Sequence, residues 1–309
     1  MRGDRAVPVL DAAALVSLVP ELAAVPSFEA ETLLALPSAQ LTLTQAGTIA
    51  ARAASSAAAG EGVVVTSGTD TLEELAVLCA LTCSGGPVVL TGANRPASRP
   101  GADGAANLLD AVAVAGAARS SGLGTVVVFG GEIHAAMNVR KVDSTGPAAF
   151  GSPVGGPIGR VVEGRVWLGA RPVRPQPLTI APADLERPVE IVVSALGDDG
   201  TLLRHASQTA DGVVVVAFGA GHLSPAMLAE LRDATERVPV VITCRPDRGS
   251  MLFDTYGFEG AESDLRSSGA ACAPFLSAVA ARIVLLACLG AGLDRPGIAG
   301  VLAPWDATE

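Results

Sequence analysis

Gly62-Val63-Val64-Val65-Thr66-Ser67-Gly68-Thr69-Asp70-Thr71-Leu72-Glu73-Glu74 opens as an unbroken valine run and closes in a cluster of hydroxyls and carboxylates. A continuous apolar run of this length reads as a strand buried on both faces, the pattern of a parallel sheet covered by helices. Further runs at 87–91, 124–129, 190–194, 212–218 and 238–244 alternate with Ala/Leu segments of helical spacing, so the expected fold class is α/β. In open parallel sheets ligands gather at the carboxyl ends of the strands, which singles out Thr69, Asp70 and the 91–95 loop. Thr69-Asp70-Thr71 also precedes a helix expected over 72–81. Capping by a hydroxyl or carboxylate, with Glu73 and Glu74 in the first turn, accounts for that composition without any chemistry. Backbone N–H groups at the same place would suit an anion or a developing oxyanion.

Working outward, 309 residues suffice for two cores, and the pattern lapses into glycine and proline between 151 and 188. Its stiffest part, Arg171-Pro172-Val173-Arg174-Pro175-Gln176-Pro177, has the composition of a linker. The expected organisation is an N-terminal α/β domain over 1–170, a linker over 171–188 and a smaller C-terminal α/β domain over 189–309. A net charge of −10, 3% aromatic residues and the lack of a basic stripe argue against nucleic acid as a partner. The longest apolar stretch, 283–293, is shorter than the about 20 residues that span a bilayer, so no membrane partner is expected. Asp4 and Asp11 break up the amino-terminal apolar stretch, which does not read as a secretory signal.

Five scattered cysteines, an odd number in apolar surroundings, fit reduced structural thiols and a cytoplasmic location. Gly219-Ala220-Gly221 does not complete a dinucleotide fingerprint because Ser224 stands where the third glycine would be. Gly85-Gly86 and Gly130-Gly131 read as turns, and no phosphate loop or zinc spacing exists, so cofactor-free, metal-free chemistry is expected.

Among 21 lysines and arginines, Lys141 is the one lysine. A guanidinium stays charged at any working pH, so an ammonium kept in an arginine-only chain is a candidate for proton transfer, against the alternative of chance survival on a solvated surface. A hydroxyl beside a carboxylate, joined by one lysine from elsewhere, is an arrangement for nucleophilic acyl transfer. Burial favours the neutral amine, which then takes the hydroxyl proton. Glu132 and Asp143 flank this lysine in sequence and would favour its charged form. His134, His205 and His222 read as structural histidines.

Thr66-Ser67-Gly68-Thr69-Asp70-Thr71-Leu72-Glu73-Glu74, Leu90-Thr91-Gly92-Ala93-Asn94-Arg95-Pro96, Ala102-Asp103-Gly104-Ala105-Ala106-Asn107-Leu108-Leu109 and Val139-Arg140-Lys141 resemble the bacterial two-domain L-asparaginases and glutaminase-asparaginases, over residues 7–293. The resemblance implies a larger flavodoxin-like parallel-sheet domain, a smaller α/β domain and no metal or organic cofactor. It implies that Thr69, Asp70 and Lys141 form a catalytic threonine, aspartate and lysine set. Asp70 would also hold the substrate α-amino group, Ser38 its α-carboxylate, and Glu262 would serve the site of a neighbouring subunit in a homo-oligomer, a dimer or tetramer. The implied activity is hydrolysis of the L-asparagine side-chain amide to L-aspartate and ammonia through an acyl-threonine, with L-glutamine as a second candidate substrate.

The chain departs from the family pattern at Ser67, where histidine is usual, and at Ala39, where glutamine is usual. It has no counterpart of the leading strand Thr-Gly-Gly-Thr-Ile-Ala, with its first nucleophilic threonine, or of the tyrosine that follows, and Met1 to Leu10 matches the stretch beyond them. The expectation is a start downstream of the true first codon. Ala46-Gly47-Thr48-Ile49-Ala50 lies in a helical segment on the wrong side of Ser38, so Thr48 reads as helix packing. Two alternatives stay open: a catalytically inactive protein that binds an amino acid, and a glutaminase-type amidase such as the subunit that feeds ammonia to transfer-RNA amidation.

Overall fold

The computed structural model describes residues 11–306 and divides the chain into two units, Met1–Arg174 and Pro175–Glu309. The stretch before Asp11, on which the downstream-start expectation rests, lies outside the described residues.

The first unit carries helices α1 (Ala12–Ser17), α2 (Leu43–Ala58), α3 (Leu72–Thr82) and α4 (Gly104–Gly116). Its strands are β1 (Val63–Thr66), β2 (Val88–Thr91), β3 (Thr125–Phe129), β4 (Glu132–Ala135), β5 (Arg140–Lys141), β6 (Phe150–Gly151), β7 (Gly159–Val162) and β8 (Arg165–Leu168). The valine runs pair as expected: β1, β2 and β3 are parallel neighbours. Val88, Val89 and Leu90 of β2 are fully buried, each such side chain stabilising the fold by roughly 1.5–3 kcal/mol. On one face, Ala111 and Val114 of α4 pack with Val89, Val126 and Val128. Helix α3 is apolar almost all round because it is enclosed, touching β2 and β3 on one side and α2 on the other.

Beyond β3 the sheet turns antiparallel, in the order β1-β2-β3-β4-β7-β8. Two tight hairpins cause the change. Gly130 and Gly131 join β3 to β4, and Glu163 and Gly164 join β7 to β8, with positive φ at all four residues. That is the backbone of a two-residue hairpin whose twist matches the flanking strands. The glycine-rich stretch after 151 thus contains a strand pair that its composition does not announce. At the other side of the sheet, β1 is an edge strand with its three valines only partly covered.

The second unit carries β9 (Val189–Val193), β10 (Gly212–Ala217), β11 (Val240–Cys244) and β12 (Ala271–Cys272) in one parallel sheet, ordered β12-β11-β10-β9. Around it lie α5 (Thr201–Thr209), α6 (Pro225–Arg237), α7 (Glu262–Arg266), α8 (Ala278–Gly290) and α9 (Arg295–Leu302). Leu203 of α5 and Met227, Leu228 and Leu231 of α6 meet Val213, Val215 and Ile242 in the core. The division at 174/175 falls inside the proline-rich stretch. Residues after it belong to the second unit, where Leu185 is buried and Gly290 approaches the Asp184 carbonyl closely.

Candidate active site

Residues 66–71 connect the end of β1 to the start of α3, and Ser38 closes over that connection. The Ser38 Oγ accepts the Asp70 N–H at 3.3 Å, and the Thr71 hydroxyl donates to the Ser38 carbonyl at 3.2 Å. Ser38 is buried at 6% exposure, and a serine hydroxyl can donate as well as accept. Gly68 permits this closeness: a Cβ there would stand 2.6 Å from the Ser38 Oγ and 2.9 Å from its Cβ. The expected capping by a hydroxyl or carboxylate is absent: Thr71 stands at the N-cap, and no side chain caps α3.

Lys141 arrives from β5, 72 residues along the chain from Thr69. Its Nζ lies 2.9 Å from the Thr69 Oγ1 and 3.1 Å from the Asp70 Oδ1. The lysine side chain is 19% exposed and the Asp70 carboxylate 63%, so the amine is sheltered while the acid faces solvent. Four of the five residues singled out in the sequence, Ser38, Thr69, Asp70 and Lys141, therefore meet at one strand-to-helix junction.

Glu262, the fifth, belongs to the second unit and is fully buried at the start of α7. Its Oε1 accepts the backbone N–H groups of Thr255 and Tyr256, and its Oε2 meets the His222 Nε2 at 3.0 Å. Burial works to raise its carboxyl, but the backbone donors and His222 outweigh it and hold the group below the ordinary 4.5. Around it, the His222 ring packs edge-on against Tyr256 and Phe258, both half exposed.

The flanking acids do not reach the lysine amine. Glu132 pairs with Arg160 at 2.5 Å, and Asp143 accepts the N–H groups of Thr145 and Gly146, which hold it below the usual carboxylate range. Thr48 is exposed on α2 and donates to the Thr44 carbonyl at 2.9 Å, a local helix bond in place of the expected packing. His134 is fully buried, with Nδ1 3.0 Å from the Ser152 hydroxyl and Nε2 without a hydrogen-bond partner.

The supporting roles of four residues escaped the sequence reading. Glu73, read as a first-turn charge, accepts the Lys141 backbone N–H at 3.2 Å; burial pushes its carboxyl above 4.5 against the pull of that bond. Asp103 accepts the N–H groups of Asn94 and Arg95. Asn107, buried, donates to the Gly92 carbonyl at 2.9 Å and accepts the Gly130 N–H at 3.0 Å, while Asn94 donates to the Gly146 carbonyl at 2.7 Å. An asparagine next to a helix start signals little by itself, because its partners lie 15 and 23 residues away. Among the described residues no cluster of metal-ligating side chains occurs, and no helix is long and apolar enough to cross a membrane.

Comparison with known proteins identifies the family of both units. Residues 1–174 match the family described as asparaginase, N-terminal, and residues 188–302 that described as glutaminase/asparaginase C-terminal domain. A probable L-asparaginase of Deinococcus radiodurans is 43% identical over 243 residues, 77% of this chain and 74% of that protein. An L-asparaginase of Bacillus licheniformis is 34% identical over 215 residues, covering 68% and 65% of the two chains. A glutaminase-asparaginase of Pseudomonas aeruginosa is 31% identical over 228 residues, 71% of this chain and 62% of that protein. With both domain matches in order along it, the chain belongs to the asparaginase family.

Proposed function

We propose that this protein is an L-asparagine amidohydrolase that works through an acyl-threonine at Thr69, with no cofactor. The observation that carries the reading is the 2.9 Å contact between the Lys141 Nζ and the Thr69 Oγ1, with Asp70 fixing the amine from the other side. Lys141, as the base, takes the Thr69 proton as the Oγ1 attacks the side-chain amide carbon. The tetrahedral adduct collapses, the C–N bond breaks, and the proton passes from Lys141 to the departing nitrogen, which leaves as ammonia. Water then attacks the acyl carbon and gives a proton to Lys141; the adduct expels the Thr69 oxygen, which recovers that proton, and aspartate is released.

Ser38 and Asp70 supply the binding groups for the α-carboxylate and α-amino group. A buried hydroxyl with a proton to donate suits an anion, and a solvent-facing carboxylate suits an ammonium. The likeness to a protein named a probable L-asparaginase at 43% identity favours asparagine over glutamine as the substrate. In the proposed homo-oligomer, Glu262 acts on a neighbouring pocket through the 255–258 loop that it braces. Five buried cysteines, all in the thiol form, favour a reducing, cytoplasmic setting.

The test is ammonia release from asparagine by the purified protein, by Thr69→Ala and by Lys141→Met. Turnover in the parent that both variants lose supports the reading. Aspartate binding with no turnover in any of them would instead identify an amino-acid-binding protein.

A further inference from the structure

The two-stranded ribbon of β5 and β6 is the element that carries Lys141, and a ribbon of this size is marginal by itself. Its ladder leaves the Lys141 N–H unused. Val142 donates to the Ala149 carbonyl across the ribbon at 2.8 Å, so by antiparallel alternation the preceding N–H points to the outer edge. There it meets the Glu73 Oε2 at 3.2 Å. Glu73 stands in the first turn of α3, four residues after Thr69, so one helix start holds both the hydroxyl and the tether of the amine.

We infer that Glu73 is a positioning residue: its carboxylate pins the Lys141 backbone to α3 and thereby sets the 2.9 Å approach of the Nζ to the Thr69 Oγ1. The inference rests on the reading of Thr69 and Lys141 as the reacting pair. The hydrogen bond of Glu73 is to the Lys141 backbone, while its charge also acts on the lysine. Without the tether the Lys141 backbone loses its bond to α3, and attack at the carbonyl slows although the groups that hold the amino acid stay in place.

Because Lys141 is the only lysine, protein labelled with 15N-lysine gives one backbone amide resonance, which reports this hydrogen bond directly. Two full-length variants separate reach from charge. Glu73→Gln keeps an acceptor at the same distance, whereas Glu73→Asp keeps the charge but falls one methylene short. The expected result for Glu73→Asp is Lys141 amide exchange faster by roughly tenfold and kcat lower by roughly tenfold, with KM within about twofold of the parent. Glu73→Gln is expected to stay within about threefold of the parent on both measures. A Glu73→Asp kcat equal to the parent's, or a Glu73→Gln kcat as low as that of Glu73→Asp, overturns the inference. If the parent releases no ammonia, the functional reading has failed, and amide exchange still decides the tether: equal exchange in the parent and Glu73→Asp overturns it.

Discussion

Ser38 is folded so tightly against Gly68 that its Oγ occupies nearly the space a side chain at residue 68 would need, 2.6 Å from the position of a Cβ. A methyl group there must displace the serine, and Ser38 is the residue proposed to hold the substrate carboxylate. Gly68→Ala is therefore expected to raise KM by roughly tenfold while leaving kcat within a few-fold. Its stability cost is about 1–3 kcal/mol, as for other overpacked sites. Steady-state kinetics with a urea titration would check both numbers, and an unchanged KM would remove Ser38 from the binding site.

Lys141→Arg keeps the positive charge beside Asp70 but supplies no group able to accept a proton. The expected loss of ammonia release is about 10²–10⁴-fold, the usual contribution of a general base. Activity near that of the parent would mean that the amine serves as a charge only.

Burial, assisted by the nearby Arg160 guanidinium, pushes the His134 imidazole from 6.5 down to about 4. Between those values the unfolded chain binds a proton that the folded chain refuses. The stability tied to neutral His134 is thus complete above pH 6.5 and is lost as pH falls toward 4, by about 3 kcal/mol in all. His134→Gln should flatten this part of the curve. Urea unfolding at pH 7 and pH 4.5 would show a smaller difference for the variant than for the parent; equal differences refute the assignment.

Glu262 is held ionised below 4.5 by donors from its own unit, so its contribution is present above that pH and lost as pH falls through the lower folded value. Glu262→Ala strands the Thr255 and Tyr256 N–H groups and removes the partner of His222. A destabilisation of about 2–4 kcal/mol is expected, with faster proteolysis in the 253–258 segment. A variant as stable and as protease-resistant as the parent would contradict this account of the loop.

Thr48 offers a negative control. Its hydroxyl makes one exposed bond within α2, so Thr48→Ala is expected to leave ammonia release unchanged and stability within about 0.5 kcal/mol. A large loss of turnover would place the nucleophile in the wrong threonine.

Most of the strands legible in the sequence are those whose burial is two-sided, although the valine runs of β1 and β9 were legible with only partial burial. Strands β2, β3, β10 and β11 are enclosed on both faces, and that alone forces runs such as Val213-Val214-Val215-Val216. Strands β7 and β8 carry Arg160, Arg165 and Trp167 into exposed positions, so their composition resembles that of a loop until the hairpin pairing is known. For the site, Thr69 and Asp70 were readable from a strand that runs into a helix, and Lys141 from its uniqueness. Glu73 was not readable, because the same carboxylate in a first turn satisfies helix electrostatics whether or not another strand docks on it. Glu262 shows the reverse limit: a motif can mark a residue while its contacts, here all within one unit, depend on the folded loop around it.

By donating to the Gly92 carbonyl with one end and accepting the Gly130 N–H with the other, the amide of Asn107 joins the exits of β2 and β3. Asn94 extends the link to Gly146, five residues past the lysine. The corners at Gly92, Gly130 and Gly146 are thereby tied together through two asparagine side chains.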